Sequence, residues 1–156
     1  FTGDLGRKNL PILKDPDFFP ELDYLVCEST YGNKLHSNMD YTLTELAKII
    51  NSAFEKKGKI IIPAFAIERT QELIYHLHIL VNQKRIPSIP IYIDSPMASN
   101  ATSIFMIHPE CFDEEINREF ISKHLKPFNF ENLNYINSTE DSKKLNTMKE
   151  PMIIIS

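Results

Sequence analysis

Polar side chains that could bind a ligand or take part in catalysis follow the apolar runs of this sequence. They are a carboxylate with hydroxyls behind it, an arginine, a second carboxylate with a serine, and a final serine, at Glu28–Tyr31, Arg69, Asp94–Ser95 and Ser156. Ligands of open parallel sheets gather beyond the carboxyl ends of the strands, so we expect these residues to share one polar cleft. Such a set can accept phosphates and position a charged group. A helix cap is the alternative role for a lone Asp or Ser, and an ion pair with Glu68 or Glu72 is the alternative for Arg69.

The five histidines lie in three settings. His108 and His124 lie at the ends of predicted helices, where a favourable interaction with the helix dipole is the usual role. His36 lies in the polar loop behind Glu28, so we include it among the candidate site residues. His76 and His78 are two residues apart within a predicted helix, where their side chains point roughly 200° apart and cannot hold one metal ion.

These residues depend on elements that the hydrophobic pattern predicts. Apolar residues at helical spacing predict helices over 41–57, 68–82, 98–107, 113–124 and 139–147, with Asp40 as the N-cap of the first. Short apolar runs predict strands at 24–27, 59–62, 89–93, 133–136 and 152–156. Continuous runs such as 59–62 are typical of strands covered on both faces. Alternating strands and helices predict an α/β fold with a mostly parallel sheet flanked by helices.

Composition excludes several classes of protein. The 156 residues carry a net charge of −4 without long charged blocks, which argues against a surface devoted wholly to nucleic acid. Cys27 and Cys111 lack the spacing of a disulfide framework and predict reduced, mostly buried thiols in a cytoplasmic protein. With four glycines the chain has no glycine-rich phosphate loop. No apolar run approaches the ~20 residues that cross a bilayer, so no membrane partner is expected.

Several stretches, in order along the chain, resemble one family. They are residues 1–6 (FTGDLG), 28–33 (ESTYGN), 62–66 (IPAFA), 69–73 (RTQEL), 93–98 (IDSPMA), 108–110 (HPE) and 133–146. Together they are similar to the β-CASP nucleases of the metallo-β-lactamase fold, which include ribonucleases and the endonuclease of pre-mRNA 3′ processing. One such stretch is weak support, whereas an ordered series covering nearly the whole chain is specific.

The resemblance implies roles for individual residues. Asp4 matches the aspartate that bridges two zinc ions, and Glu28 matches an acid that orients a histidine near the attacking water. Tyr31 and His36 would contact the substrate or support the site, and Arg69 would face a phosphate. Glutamate at position 28, where the DNA-repair branch has aspartate, favours RNA as the substrate. The family usually has glycine directly before the arginine, where this chain has Glu68.

The chain begins without Met and stops on an apolar run, which predicts a fragment of a longer protein. Residues 1–36 would be the edge of a metallo-β-lactamase portion, and residues 37–156 a β-CASP domain truncated at its C-terminal end. We expect the complete protein to be a zinc-dependent ribonuclease and the isolated chain to be inactive, with self-association through its exposed apolar surface. The alternatives are a non-catalytic RNA-binding or scaffolding paralogue of the same family and an unrelated α/β phosphate-binding module.

Overall fold

A computed structural model describes residues 1–6, 8–19, 21–36, 38–114, 116–118 and 127–156. Its helices are α1 (Met39–Glu55), α2 (Arg69–Asn82), α3 (Pro96–Ile107) and α4 (Thr139–Thr147), with a 3-10 turn at Pro109–Cys111. Its strands are β1 (Lys59–Ile62), β2 (Ile91–Ile93), β3 (Leu133–Tyr135) and β4 (Met152–Ile155). The predicted alternation is therefore present. The predicted helix over 113–124 extends, with His124, outside the described residues.

The strands form one parallel sheet in the order β1-β4-β2-β3. Strand β4 lies between β1 and β2, so that Ile153 is level with Ile60 on one side and with Ile91 on the other. Every crossover between neighbouring strands contains helical residues, as parallel pairing requires. The predicted fold, a parallel α/β sheet flanked by helices, is confirmed.

The inner strand β4 is covered on both faces. Ile153 and Ile155 belong to the main core with α1 and α2, whereas Met152 and Ile154 pack in a second cluster with Leu145 of α4. All four β4 side chains are buried, which explains the uninterrupted apolar run that ends the sequence. The edge strand β1 differs, because its Ile61 side chain is 70% exposed. The prediction that 59–62 is covered on both faces was therefore wrong.

Three further expectations need correction. Residues 24–27 form no strand, because their apolar side chains find no packing surface: Tyr24 is 94% exposed. Asn38, rather than Asp40, caps α1, since its side chain accepts a hydrogen bond from the Asp40 N–H. Cys27 and Cys111 are both exposed free thiols, not buried ones.

Among the helices of the described residues, each is too short or too polar to cross a membrane.

The position of β4 predicts a contrast between two isoleucines of the same sheet. Ile153→Ala should lower the free energy of unfolding by about 2–5 kcal/mol, because it opens a cavity in the core. Ile61→Ala is the matched control and should cost under about 1 kcal/mol, because Ile61 already faces solvent. Denaturant titration of both variants measures the difference. Equal decreases in the free energy of unfolding would contradict the assignment of β4 as an inner strand and β1 as an edge strand.

Candidate functional site

A cleft of about 550 Å³ collects five of the eight predicted site residues. One wall comes from residues 4–6 and 28–36, and the other comes from the loop between β1 and α2. The five are Asp4, Glu28, Tyr31, His36 and Arg69. They come from three separate parts of the sequence, and the fold brings them around one opening.

Glu28 ties the first wall together. Its carboxylate accepts the Thr30 N–H at 3.1 Å through Oε2 and the Leu5 N–H at 3.3 Å through Oε1. The neighbouring backbone adds the Thr2 N–H donating to the Val26 carbonyl at 3.0 Å. These contacts hold residues 1–6 against residues 26–30 and place Asp4 beside Glu28 in the cleft.

The same contacts fix the charge of Glu28. Hydrogen bonds from the backbone and hydroxyl of Thr30, followed by the Leu5 N–H, hold the pKa of Glu28 below its usual value, because they favour the ionised form. The group is thus an acceptor at neutral pH and offers no proton. This suits a residue that orients a donor such as histidine.

An aromatic pair lies behind Glu28. Residues 29–34 turn back on themselves, with the Gly32 N–H donating to the Ser29 carbonyl at 3.0 Å. The rings of Tyr31 and His36 then meet edge to face, with their centroids 5.4 Å apart. Both side chains stay exposed to solvent and open to a ligand.

The opposite wall is held by the residues that begin α2. The Thr70 hydroxyl donates to the Phe65 carbonyl at 2.8 Å, and Gln71 Nε2 donates to the Ala66 carbonyl at 3.1 Å. Both side chains are buried, so they fix the loop between β1 and α2 over the start of the helix. Arg69 follows directly on this loop and pairs with Glu72 one turn along the helix. The ion pair that the sequence offered as an alternative role for Arg69 is therefore formed.

Backbone strain marks the residue before Arg69. Glu68 has φ 67° and ψ −60°, and the Arg69 N–H donates to the Ile67 carbonyl at 2.8 Å across it. This is a γ-turn with a positive central φ, a strained conformation that a residue with a Cβ atom rarely adopts. A glycine would adopt it without that strain. The turn thus gives a physical reason why glycine, which the resemblance leads us to expect before the arginine, would suit this position.

The remaining three predicted residues lie at the edge of the sheet, outside the lining of this cleft. The Asp94 carboxylate accepts a hydrogen bond from the Ser142 hydroxyl of α4 at 2.9 Å. Ser95 is the N-cap of α3. Ser156 continues the pairing between β4 and β1, since its N–H donates to the Ile62 carbonyl at 3.1 Å. Each of the three thus makes a structural contact.

Sequence reasoning missed Phe65 and Glu72. Phe65 lines the cleft and is 85% exposed, although its apolar type predicts burial. Its exposure follows from the tertiary course of the loop, which no local pattern reports. Glu72 appeared only as an alternative partner of Arg69, and the spacing of three residues was the available signal.

Within the described ranges, no three His, Cys, Asp or Glu side chains are grouped so that they could hold a metal ion. Asp4 therefore has no set of fellow ligands in the part of the chain that the structure describes. His76 and His78 lie buried in α2, where His78 packs on the ring of Phe130 at a centroid distance of 4.7 Å. They are part of the interior of the domain, which the helical spacing alone did not predict.

Known proteins are similar to this chain over nine-tenths or more of its length. Residues 70–156 match the model of the β-CASP domain family. The chain is 35% identical over its whole length to ribonuclease TTHA0252 of Thermus thermophilus, of which it covers 36%. It is 34% identical over its whole length to transcription termination factor FttA of Methanococcus maripaludis, covering 25% of that protein. Over 90% of its length it is 30% identical to cleavage and polyadenylation specificity factor subunit 3-I of Arabidopsis thaliana, covering 20%. The chain thus spans between a fifth and about a third of these relatives.

The strained turn predicts the effect of placing glycine at position 68. Glu68→Gly should raise the free energy of unfolding by about 1 kcal/mol relative to Glu68→Ala, because alanine removes the carboxylate but keeps the Cβ atom that causes the strain. Urea denaturation of the two variants isolates the backbone effect. An alanine variant as stable as the glycine variant would contradict a positive φ at this position.

Proposed function

Because this chain belongs to the β-CASP family, we propose that it is part of a metal-dependent ribonuclease that hydrolyses RNA phosphodiester bonds. The observation that carries the proposal is the cleft itself, which gathers Asp4, Glu28, Tyr31, His36 and Arg69 from distant parts of the sequence. The names of the relatives, a ribonuclease, a transcription termination factor and a cleavage and polyadenylation factor subunit, are in keeping with RNA as the ligand.

The lining of the cleft suits single-stranded RNA. Arg69 lies on one wall with its side chain 55% exposed, and a guanidinium can donate to two phosphate oxygens at once. Phe65 on the same wall and Tyr31 on the opposite wall present exposed rings on which unpaired bases can stack. A cation for the phosphate and aromatic faces for the bases together favour a flexible strand over a duplex.

Asp4 and Glu28 would lie at the end of the cleft where the RNA is hydrolysed. The described residues do not by themselves form a metal site. Asp4 would contribute one carboxylate to a zinc centre with two ions, whose other ligands come from outside this chain. Glu28, ionised and held by two backbone N–H groups, would orient a histidine supplied by that centre.

The two parts of the chain would belong to different domains. We assign residues 1–36 to the edge of a metallo-β-lactamase portion and residues 37–156 to the β-CASP domain. Many large apolar side chains before α1 are exposed, including Phe1, Phe18, Tyr24 and Leu35, as expected of residues that pack against another domain. The same surface would allow self-association of the isolated chain. A cytoplasmic setting would suit its two exposed free thiols.

A non-catalytic RNA-binding subunit is the second candidate. The observation that favours it is the likeness to a transcription termination factor, whose name describes no cleavage. Both candidates need the RNA cleft, and they differ only in whether the complete protein cuts the bound strand.

Arg69 gives the first test. Arg69→Ala should weaken binding of a labelled oligouridylate, because it removes a charged donor from the cleft. The slope of log affinity against log salt should fall by about 0.7, the value for one phosphate contact on a single strand. Arg118→Ala is a control, since that side chain is exposed and does not line the cleft. Unchanged affinity and slope in Arg69→Ala would contradict a phosphate contact.

The metal assignment gives the second test. The isolated chain, purified without chelator, should neither retain zinc nor cleave RNA with added zinc or manganese, because Asp4 is a single carboxylate and a metal centre needs several ligands. Metal analysis and a cleavage assay measure both properties. About two bound zinc ions, or cleavage that Asp4→Ala abolishes, would show that the chain carries its own centre.

A further inference from the structure

A row of polar side chains runs along α2 from the cleft into the interior. Arg69, Glu72 and His76 lie at positions i, i+3 and i+7, on one face of the helix. Glu72 Oε2 pairs with Arg69 Nη1, and Glu72 Oε1 lies 3.7 Å from His76 Nε2. The exposed fraction of the side chains falls from 55% at Arg69 to 10% at Glu72 and 8% at His76. The carboxylate is therefore the inner half of an ion pair whose outer half reaches the cleft.

A strap formed by residues 10–14 covers Glu72. Leu10, Ile12 and Leu13 of the strap share a small crevice with Glu72 and Phe105, and Glu68 lines the same crevice. The strap is fastened at its far end, where the Lys14 N–H donates to the Cys111 carbonyl at 3.1 Å and Ile12 accepts from the Asp113 N–H at 2.9 Å. Ile12 is almost fully buried, so the strap is part of the core. Glu72 thus lies against apolar side chains, where a carboxylate is costly unless it is paired.

This burial sets the pair apart from an ordinary surface ion pair. Lys48 and Glu45 of α1 have the same spacing of three residues, but their side chains are 67% and 40% exposed. Exposed pairs of that kind restrain their side chains little and contribute little to stability. A carboxylate fixed in a packed interior offers the Arg69 guanidinium a stationary anchor.

The anchor leaves Arg69 able to bind a ligand. A guanidinium has five N–H donors in a rigid plane, so contact with one carboxylate does not exhaust it. An arginine that is already held in place loses less side-chain freedom when it binds, a saving of about 0.5–1.5 kcal/mol for a side chain of this kind. At 1.4 kcal/mol for each factor of ten, the upper part of that range corresponds to about tenfold in affinity.

We propose that Glu72 is a positioning residue that holds the Arg69 guanidinium in the cleft, ready to receive an RNA phosphate. The proposal rests on the proposed function, since it assumes that Arg69 meets RNA. Glu72 acts through Arg69 and makes no contact with the substrate.

The test compares RNA affinity in four variants of the whole chain. With a labelled oligouridylate, Glu72→Gln should bind about three- to tenfold more weakly than the unmodified chain, because Arg69 stays charged but loses its anchor. Arg69→Ala should bind more weakly still, and the double variant should equal Arg69→Ala, as expected when one residue acts through the other. Glu45→Gln, which breaks the exposed pair, should leave affinity unchanged.

The outcomes separate this proposal from the one it rests on. Normal binding by Arg69→Ala would refute the phosphate contact and with it the proposed role of the cleft. Weak binding by Arg69→Ala together with unchanged or tighter binding by Glu72→Gln would refute the positioning role of Glu72 and leave the phosphate contact of Arg69 standing. Tighter binding would mean that Glu72 merely neutralises the charge of the arginine.

Direct observation of Arg69 keeps the proposal testable if Glu72→Gln does not fold. In side-chain NMR of the unmodified chain, the Arg69 guanidinium should rotate slowly about its Nε–Cζ bond, unlike the same arginine in denaturant. Glu72→Asp keeps the charge but shortens the reach, so rotation should be intermediate and RNA affinity should be partly retained. Free rotation of Arg69 in the folded chain would overturn the proposal.

Discussion

The parallel pairing of β4 with both of its neighbours is the constraint on which the rest of this structure depends. Backbone groups of Met152–Ile155 pair with β1 on one side and with β2 on the other, and the side chains fill the core on both faces. Because the strands are parallel, this pairing brings the ends of β1 and β2 to the same edge. The loop that carries Phe65 and leads to Arg69 leaves β1 at that edge. One wall of the cleft therefore depends on β4, although no residue of β4 lines the cleft.

Much of the architecture was predictable because it is encoded in local patterns. The helix over 139–147 and the strand at 59–62 were predicted at the bounds that the structure has. Periodicity failed where a segment has apolar residues but nothing to pack against, as at 24–27. It also failed on the exposure of Ile61, because the edge position of a strand depends on sheet order, and sheet order depends on contacts between distant residues.

The candidate site was predictable in its residue types but not in its assembly. Position after a predicted strand identified Glu28 and Arg69, and both of them line the cleft, although the strand predicted before Glu28 is not formed. The same rule selected Asp94 and Ser95, which instead hold α4 and cap α3. A carboxylate behind a strand looks the same in sequence whether it meets a ligand or a hydroxyl of the next helix. The strained turn at Glu68 was hidden as well, because glutamate is an unusual residue for a positive φ.

The place of β4 along the chain has a consequence for the order of folding. As the chain is synthesised, β1 and β2 emerge long before their shared partner, so neither can complete its pairing until Met152–Ile155 is available. Closing the sheet across so many residues is entropically slow, and the nascent chain meanwhile exposes isoleucine-rich edges that other chains can pair with. The feature that makes the folded sheet cohesive therefore leaves the nascent chain open to pairing with other chains until β4 has been made.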